Sequence, residues 1–215
     1  MVLKMAISEI TNFNNYPICD TDIWVDIILA KLDDLLFDKY EKIIVANVVE
    51  WEIKQFQSNP YHKNIAEKFI AYRDAGFIIV IHHTNIDGES RKLLEKQLYD
   101  CNFQFKNGLS VKPHEKHKGE IVSAIYAEFF ELPFLKSNDG TFNDGNLGRQ
   151  AFPDLIVKNR KETINDLVEN EVRRKECHQL IYDSRKLMNE GTRIYNEEPA
   201  TDEQIKQLLS KFRNH

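Results

Sequence analysis

Short apolar runs alternate along this chain with stretches whose apolar residues recur at helical spacing. "YPIC" (16–19), "KIIVA" (42–46), "GFIIVIHH" (76–83), "PFLKS" (133–137) and "DLIVK" (154–158) are runs of strand length. They are too short for amphipathic helices and too continuously apolar for strands with one wet face. Runs of this kind suit strands buried on both faces, and these are typical of parallel sheets. The stretches between them read as helices. Ile23, Ile27 and Ala30 start a stripe that continues through Leu35 and Leu36. "NVVEWEIKQF" opens on Asn47, a good N-cap residue. Ile65, Phe69 and Tyr72 repeat up to Gly76, which suits the residue after a helix end. Ile121, Ala124, Ile125 and Glu128 lie about a turn apart. The pattern predicts an α/β fold: a mostly parallel sheet of four or five strands with helices on both faces.

After the fifth run the pattern changes. From Lys161 to Glu190 the chain predicts one long charged helix. Its loose apolar stripe is Ile164, Leu167, Val168, Val172, Leu180, Ile181, Leu187 and Met188, with Gly191 as the stop. A last helix is predicted over 201–213, where Thr201 and Gln204 have capping-box spacing. These stripes are too large to leave wet, so they should pack on the core or on a second copy of the chain. The expected division is an α/β domain over 1–160 and a helical extension over 161–215.

Composition narrows the class. The 215 residues carry a formal net charge of -5, which speaks against indiscriminate nucleic-acid binding but leaves room for a local basic patch. Cys19, Cys101 and Cys177 are scattered, as expected for thiols in a reducing compartment. "MVLKMAISEI" lacks the apolar core of a signal peptide, and the longest uncharged stretch, 75–86, is too short to span a bilayer. The expected location is the cytoplasm.

The acids supply the candidate chemistry. Asp20 follows the first predicted strand, Glu50 lies early in the helix after the second, Glu120 opens the helix "GEIVSAIYA", and Asp139 follows the fourth strand. In an open parallel sheet these places share the carboxyl edge, where ligands bind. Carboxylates gathered there need protons or hard cations, and Mg²⁺ or Mn²⁺ take oxygen ligands. Each acid also has a plainer use. Asp20 can cap the following helix, Glu50 sits at capping-box spacing from Asn47, Glu120 suits a helix N-terminus, and Asp139-Gly140 is turn chemistry.

The segments carrying these acids resemble, in order, those of the PIN domain, a family of metal-dependent ribonucleases. "YPICDTDIWVDI", "VVEWEI", "HKGEIVSAIYA" and "PFLKSNDGTF" carry the resemblance, which covers roughly residues 15–160. It implies that Asp20, Glu50, Glu120 and Asp139 hold one or two Mg²⁺ or Mn²⁺ ions and that Ser137 supports Asp139. It implies phosphodiester hydrolysis of RNA, and a protein inhibitor if the chain is the toxin of a toxin–antitoxin pair. The 84–118 stretch, Glu120 in place of the more usual Asp, and the C-terminal helices depart from the family pattern.

Secondary candidates lie close by. Asp22, Glu52 and Asp144 are further acids near the expected site, and a solvated turn is the stronger reading of Asp144. "VKPHEKHKGE" places Lys112, His114, Lys116, His117 and Lys118 before Glu120, as phosphate contacts or as a solvated loop; no further ligand matches for zinc. "EVRRKE" and "SRK" (184–186) read as the wet face of the long helix. Trp24 and Trp51 read as core rather than base-stacking residues. "DTDIW" also resembles the Asp-x-Asp nucleophile of haloacid-dehalogenase phosphatases, but Trp24 stands where that family has Thr or Val. "DGTFNDGNLGRQ" fails as an EF-hand at its sixth and twelfth positions. A non-catalytic PIN-like module binding a protein through its C-terminal helices is the alternative from another class.

Overall fold

The computed structural model describes residues 13–59, 62–82, 88–100, 105–106, 109–110, 118–138 and 140–197. The strands are β1 (Ile18–Cys19), β2 (Ile43–Ala46), β3 (Ile78–Ile81), β4 (Phe105–Lys106), β5 (Leu109–Ser110), β6 (Leu135–Lys136) and β7 (Val157–Lys158). The helices are α1 (Thr21–Leu29), α2 (Asp33–Tyr40), α3 (Asn47–Gln55), α4 (Lys63–Asp74), α5 (Gly88–Asp100), α6 (Lys118–Phe129), α7 (Leu147–Ala151), α8 (Arg160–Leu167) and α9 (Glu171–Glu197). The five predicted runs each supply one strand of a single sheet in the order β3-β2-β1-β6-β7, every pairing parallel. β4 and β5 form a separate antiparallel pair in the long polar stretch.

Burial explains the apolar runs. Ile43, Ile44, Val45 and Ala46 are all at most 1% exposed. Successive side chains point to opposite faces, so both faces of β2 are covered. α3 and α6 both pack on β2, and α6 also reaches β1 and β6. Ile23, Ile27, Ile65, Phe69, Ile121 and Ala124 join the same core, as their spacing predicts. Gly76, at φ +85°, ends the α4 segment in the left-handed conformation that glycine adopts most easily.

β1 is the pivot of the topology. The chain moves outward from β1 to β2 and β3, then returns to place β6 on the other side of β1. Connections diverge at such a point, and a crevice opens beyond the carboxyl ends of the two strands. Cys19 pairs with Val45 and Lys136, and the ladder continues as Asp20 N–H donates to Lys136 O at 3.0 Å. Asp20 and Ser137 therefore leave adjacent strands at the switch point.

The long C-terminal helix of the sequence reading is two helices. The chain breaks at 168–170, where Val168 is extended (φ −125°, ψ 112°) and buried. Asn170 restarts the helix by accepting from the Arg173 amide at 3.0 Å. α9 then runs through Gly191 to Glu197 rather than stopping at the glycine. Glycine costs only about 1 kcal/mol inside a helix. Ile164, Leu167, Val168, Cys177 and Ile181 belong to the main core, while Val172, Leu180 and Leu187 are exposed. The helix expected over 201–213 lies outside the described residues.

Candidate functional site

Asp20 sits where β1 becomes α1, and its carboxyl serves two ends. Oδ1 accepts from the Ile23 amide at 2.9 Å, so Asp20 is the N-cap of α1. Oδ2 is buried and has no hydrogen-bond partner, and the residue is 1% exposed. The cap uses one oxygen and leaves the second without a partner among the described residues. Burial pushes the Asp20 carboxyl well above the usual carboxylate range. Hydrogen bonding from Ser137 and Ile23 opposes that shift, and the charges of Asp22 and Glu120 add to it. Ser137 is itself buried at the end of β6.

Glu52, on α3, meets the residue that follows Asp20. The Thr21 hydroxyl donates to its Oε2. Burial raises the Glu52 carboxyl, the Thr21 bond opposes the shift, and Asp22 reinforces it. The start of α6 closes over the same carboxylate. A Cβ at Gly119 would stand 3.0 and 3.1 Å from the Glu52 oxygens and 3.3 Å from Val49. Glycine thus lets the first turn of α6 approach, bringing the positive end of a helix dipole to Glu52. Asp20, Asp22, Glu52 and Glu120 are linked through these mutual charge effects.

Glu50 has basic partners instead. Its carboxylate meets Arg73 Nη1 at 2.6 Å, Lys54 Nζ at 2.7 Å and His82 Nε2 at 3.8 Å. Burial alone would raise it, but hydrogen bonds from Lys54 and Arg73 hold it below the usual range. The capping box expected between Asn47 and Glu50 does not form. Ala46 is the N-cap, and Asn47 is buried and accepts from the Tyr126 hydroxyl at 3.3 Å. In "VVEWEI" the two acids are two residues apart, and a rotation of about 200° separates them on a helix.

The remaining candidates divide as follows. Asp139, His114, His117, Lys112, Lys116 and Cys101 lie outside the described residues. Asp144 is exposed, in a turn before Gly145, which has φ +84°. It shares with Ser137, Asn138, Arg149, Arg160 and Lys161 a cleft of about 810 Å³. Trp24 is core, its Nε1 donating to Ile65 O at 3.2 Å. Cys19 is no nucleophile, because burial pushes its thiol up to about 12. Arg185 departs from the wet-face reading of "SRK". Its Nε donates to Asp26 Oδ1 at 2.6 Å, and its Nη2 donates to Asp22 O at 3.1 Å and Asp22 Oδ1 at 3.3 Å. No local sequence signal marks that contact, because 163 residues separate Arg185 from Asp22.

Among the described residues the linked donors are hard carboxylate oxygens, which suit Mg²⁺ or Mn²⁺ rather than a thiolate-seeking metal. Among the described residues no three His, Cys, Asp or Glu side chains stand close enough to ligate one ion. The orphaned Oδ2 of Asp20 with one neighbouring carboxylate still fits Mg²⁺, which keeps several waters and is commonly bound through one or two carboxylates. Among the described residues no helix is long and apolar enough to cross a membrane.

No known family profile matches the chain, and no curated protein matches it. Among solved structures, VapBC2 from Rickettsia felis, bound to a DNA fragment from its promoter, is similar at 16% identity and a TM-score of 0.37. The likeness covers 67% of this chain and 98% of that one.

Proposed function

We propose that this chain is a divalent-metal-dependent ribonuclease. The observation that carries the reading is Asp20 Oδ2, a buried carboxylate oxygen without a partner at the switch point of a parallel sheet, in a linked set with Asp22, Glu52 and Glu120. Asp20 and Glu52 are the proposed principal ligands, with Asp22 and Glu120 as further acids of the linked set; the resemblance to PIN domains adds Asp139. Bound Mg²⁺ or Mn²⁺ would supply charge neutralisation and Lewis acidity for phosphodiester hydrolysis. Ser137 orients the Asp20 carboxyl, Thr21 orients that of Glu52, and the Ile23 amide fixes Asp20 at the head of α1. Lys161 lines the same cleft as Ser137, and a cation there can position a phosphate backbone. The choice of RNA, the toxin role and a protein inhibitor come from the resemblance of the acidic segments to PIN domains.

The test is cleavage of a labelled RNA by the full chain with Mn²⁺, with EDTA, and with Asp20→Asn. Cleavage that needs the metal and is lost in Asp20→Asn supports the reading; metal-independent cleavage, or none under any condition, removes it. The exposed Val172, Leu180 and Leu187 on α9 favour a second reading, a non-catalytic module that binds a protein through that helix. It expects binding that EDTA leaves unchanged.

A further inference from the structure

We propose that Arg185 of α9 sets the affinity of the acidic site for its cation, by holding Asp22 in place of a divalent ion. The inference rests on the reading that these acids bind such an ion. Asp26 is 3% exposed, and both its oxygens are taken, Oδ1 by Arg185 Nε at 2.6 Å and Oδ2 by Arg160 Nε at 2.5 Å. One carboxylate thus faces two guanidinium groups. Arg185 turns a second nitrogen, Nη2, onto the backbone oxygen and Oδ1 of Asp22.

Asp22 lies two residues from Asp20, and its charge acts on both Asp20 and Glu52. The orphaned Asp20 oxygen and the linked acids need positive charge, and α9 brings some from the far end of the chain. A fixed cation and a mobile one then compete for the same negative charge. Arg185 occupies one Asp22 oxygen and offsets that residue's charge, so the site without an ion is tolerable and its grip on an ion is weaker. Arg160 is the natural control: it shares Asp26, and among the described hydrogen bonds it makes none to Asp22.

Mn²⁺ binding to the full chain is measured by isothermal titration calorimetry, with Tm measured in EDTA and in excess Mn²⁺. R185Q should bind Mn²⁺ about fivefold more tightly than the parent, as expected for removing one partly screened charge. Its Tm should be lower in EDTA, and Mn²⁺ should raise that Tm by more than it raises the parent's. R185K keeps an ammonium for Asp26 but loses the fork that also reaches Asp22, so it should fold and tighten binding by about twofold. R160Q should lose stability equally with and without Mn²⁺ and keep the parent's affinity. Parental affinity in both Arg185 variants overturns the inference, and so does tightening in R160Q equal to that in R185Q. A parent chain that binds no Mn²⁺ overturns the underlying reading and the inference with it.

Discussion

Replacing Asp20 with asparagine keeps the shape of the side chain and removes its charge. The cap should survive, because Asn Oδ1 can accept from the Ile23 amide and Asn and Asp are comparable N-caps. What disappears is the charge of a buried carboxyl that has one oxygen, Oδ2, without a partner and that Asp22 and Glu120 act against. A buried polar atom left unsatisfied costs about 1–3 kcal/mol, and a charged one more. Without metal, Asp20→Asn should therefore stabilise the chain by about 1–2 kcal/mol, a Tm rise of roughly 2–8 °C at 2–4 °C per kcal/mol for this length. Asp20→Ala relieves the same charge but loses the cap, worth about 1 kcal/mol, so its net gain should be near zero. The pH dependence has a definite sign. The folded carboxyl binds its proton more tightly than the unfolded one, so its cost is absent below the unfolded pKa, about 3.9. The cost grows as pH rises towards the folded value. The advantage of Asp20→Asn should shrink towards pH 4 and be larger at pH 7. Mn²⁺ should reverse the order, since a ligand at a hundred times its Kd adds about 2.7 kcal/mol to the parent alone. Differential scanning calorimetry in EDTA and in Mn²⁺ across pH 4–8 measures all of this. If Asp20→Asn destabilises the metal-free protein as much as Asp20→Ala and Mn²⁺ acts alike on both and on the parent, Asp20 is a cap and nothing more.

Glu52→Gln should abolish the Mn²⁺-dependent rise in Tm, whereas Glu50→Gln should keep it and cost about 1–2 kcal/mol by leaving Lys54 and Arg73 without their shared carboxylate. The opposite assignment in a thermal shift assay would return Glu50 to the site. Asp26→Asn leaves two arginines without their buried partner and should cost about 3 kcal/mol, with faster amide hydrogen exchange in α9; unchanged exchange there would show that the clamp does not hold the helix. Lys136 is fully buried between the Tyr40 and Phe134 rings, and burial brings its ammonium down to about 8. Its folded pKa lies below the unfolded value, so its cost is absent above about 10.4 and complete below 8. Lys136→Met should be neutral or stabilising at pH 7 and should remove the part of the stability gain that this lysine gives between pH 8 and 10, read by urea unfolding at each pH; an unaltered profile would mean the lysine titrates normally.

The apolar runs determined the sheet. A strand buried on both faces must be apolar at every position, and that requirement is local, so 42–46 and 76–83 were legible as strands. Asp20 was legible for a similar reason, since an acid directly after such a run falls at the sheet edge. The partners of Glu50 and Glu52 were not legible. Both lie on one turn of α3, and their surroundings come from distant segments: Arg73 and His82 around Glu50, Thr21 and Gly119 around Glu52. The break at 168–170 was hidden because helical periodicity continues across it, while the burial of Val168 depends on the core that α8 and α9 pack against. Arg185 was hidden most completely. A charged residue on an amphipathic helix reads as solvated, and only the packing of α9 on α1 places it against Asp22 and Asp26. Sequence fixes what each segment must bury. Which charges then meet is decided where segments far apart in the chain converge, because Coulomb attraction depends on separation in space and not along the chain.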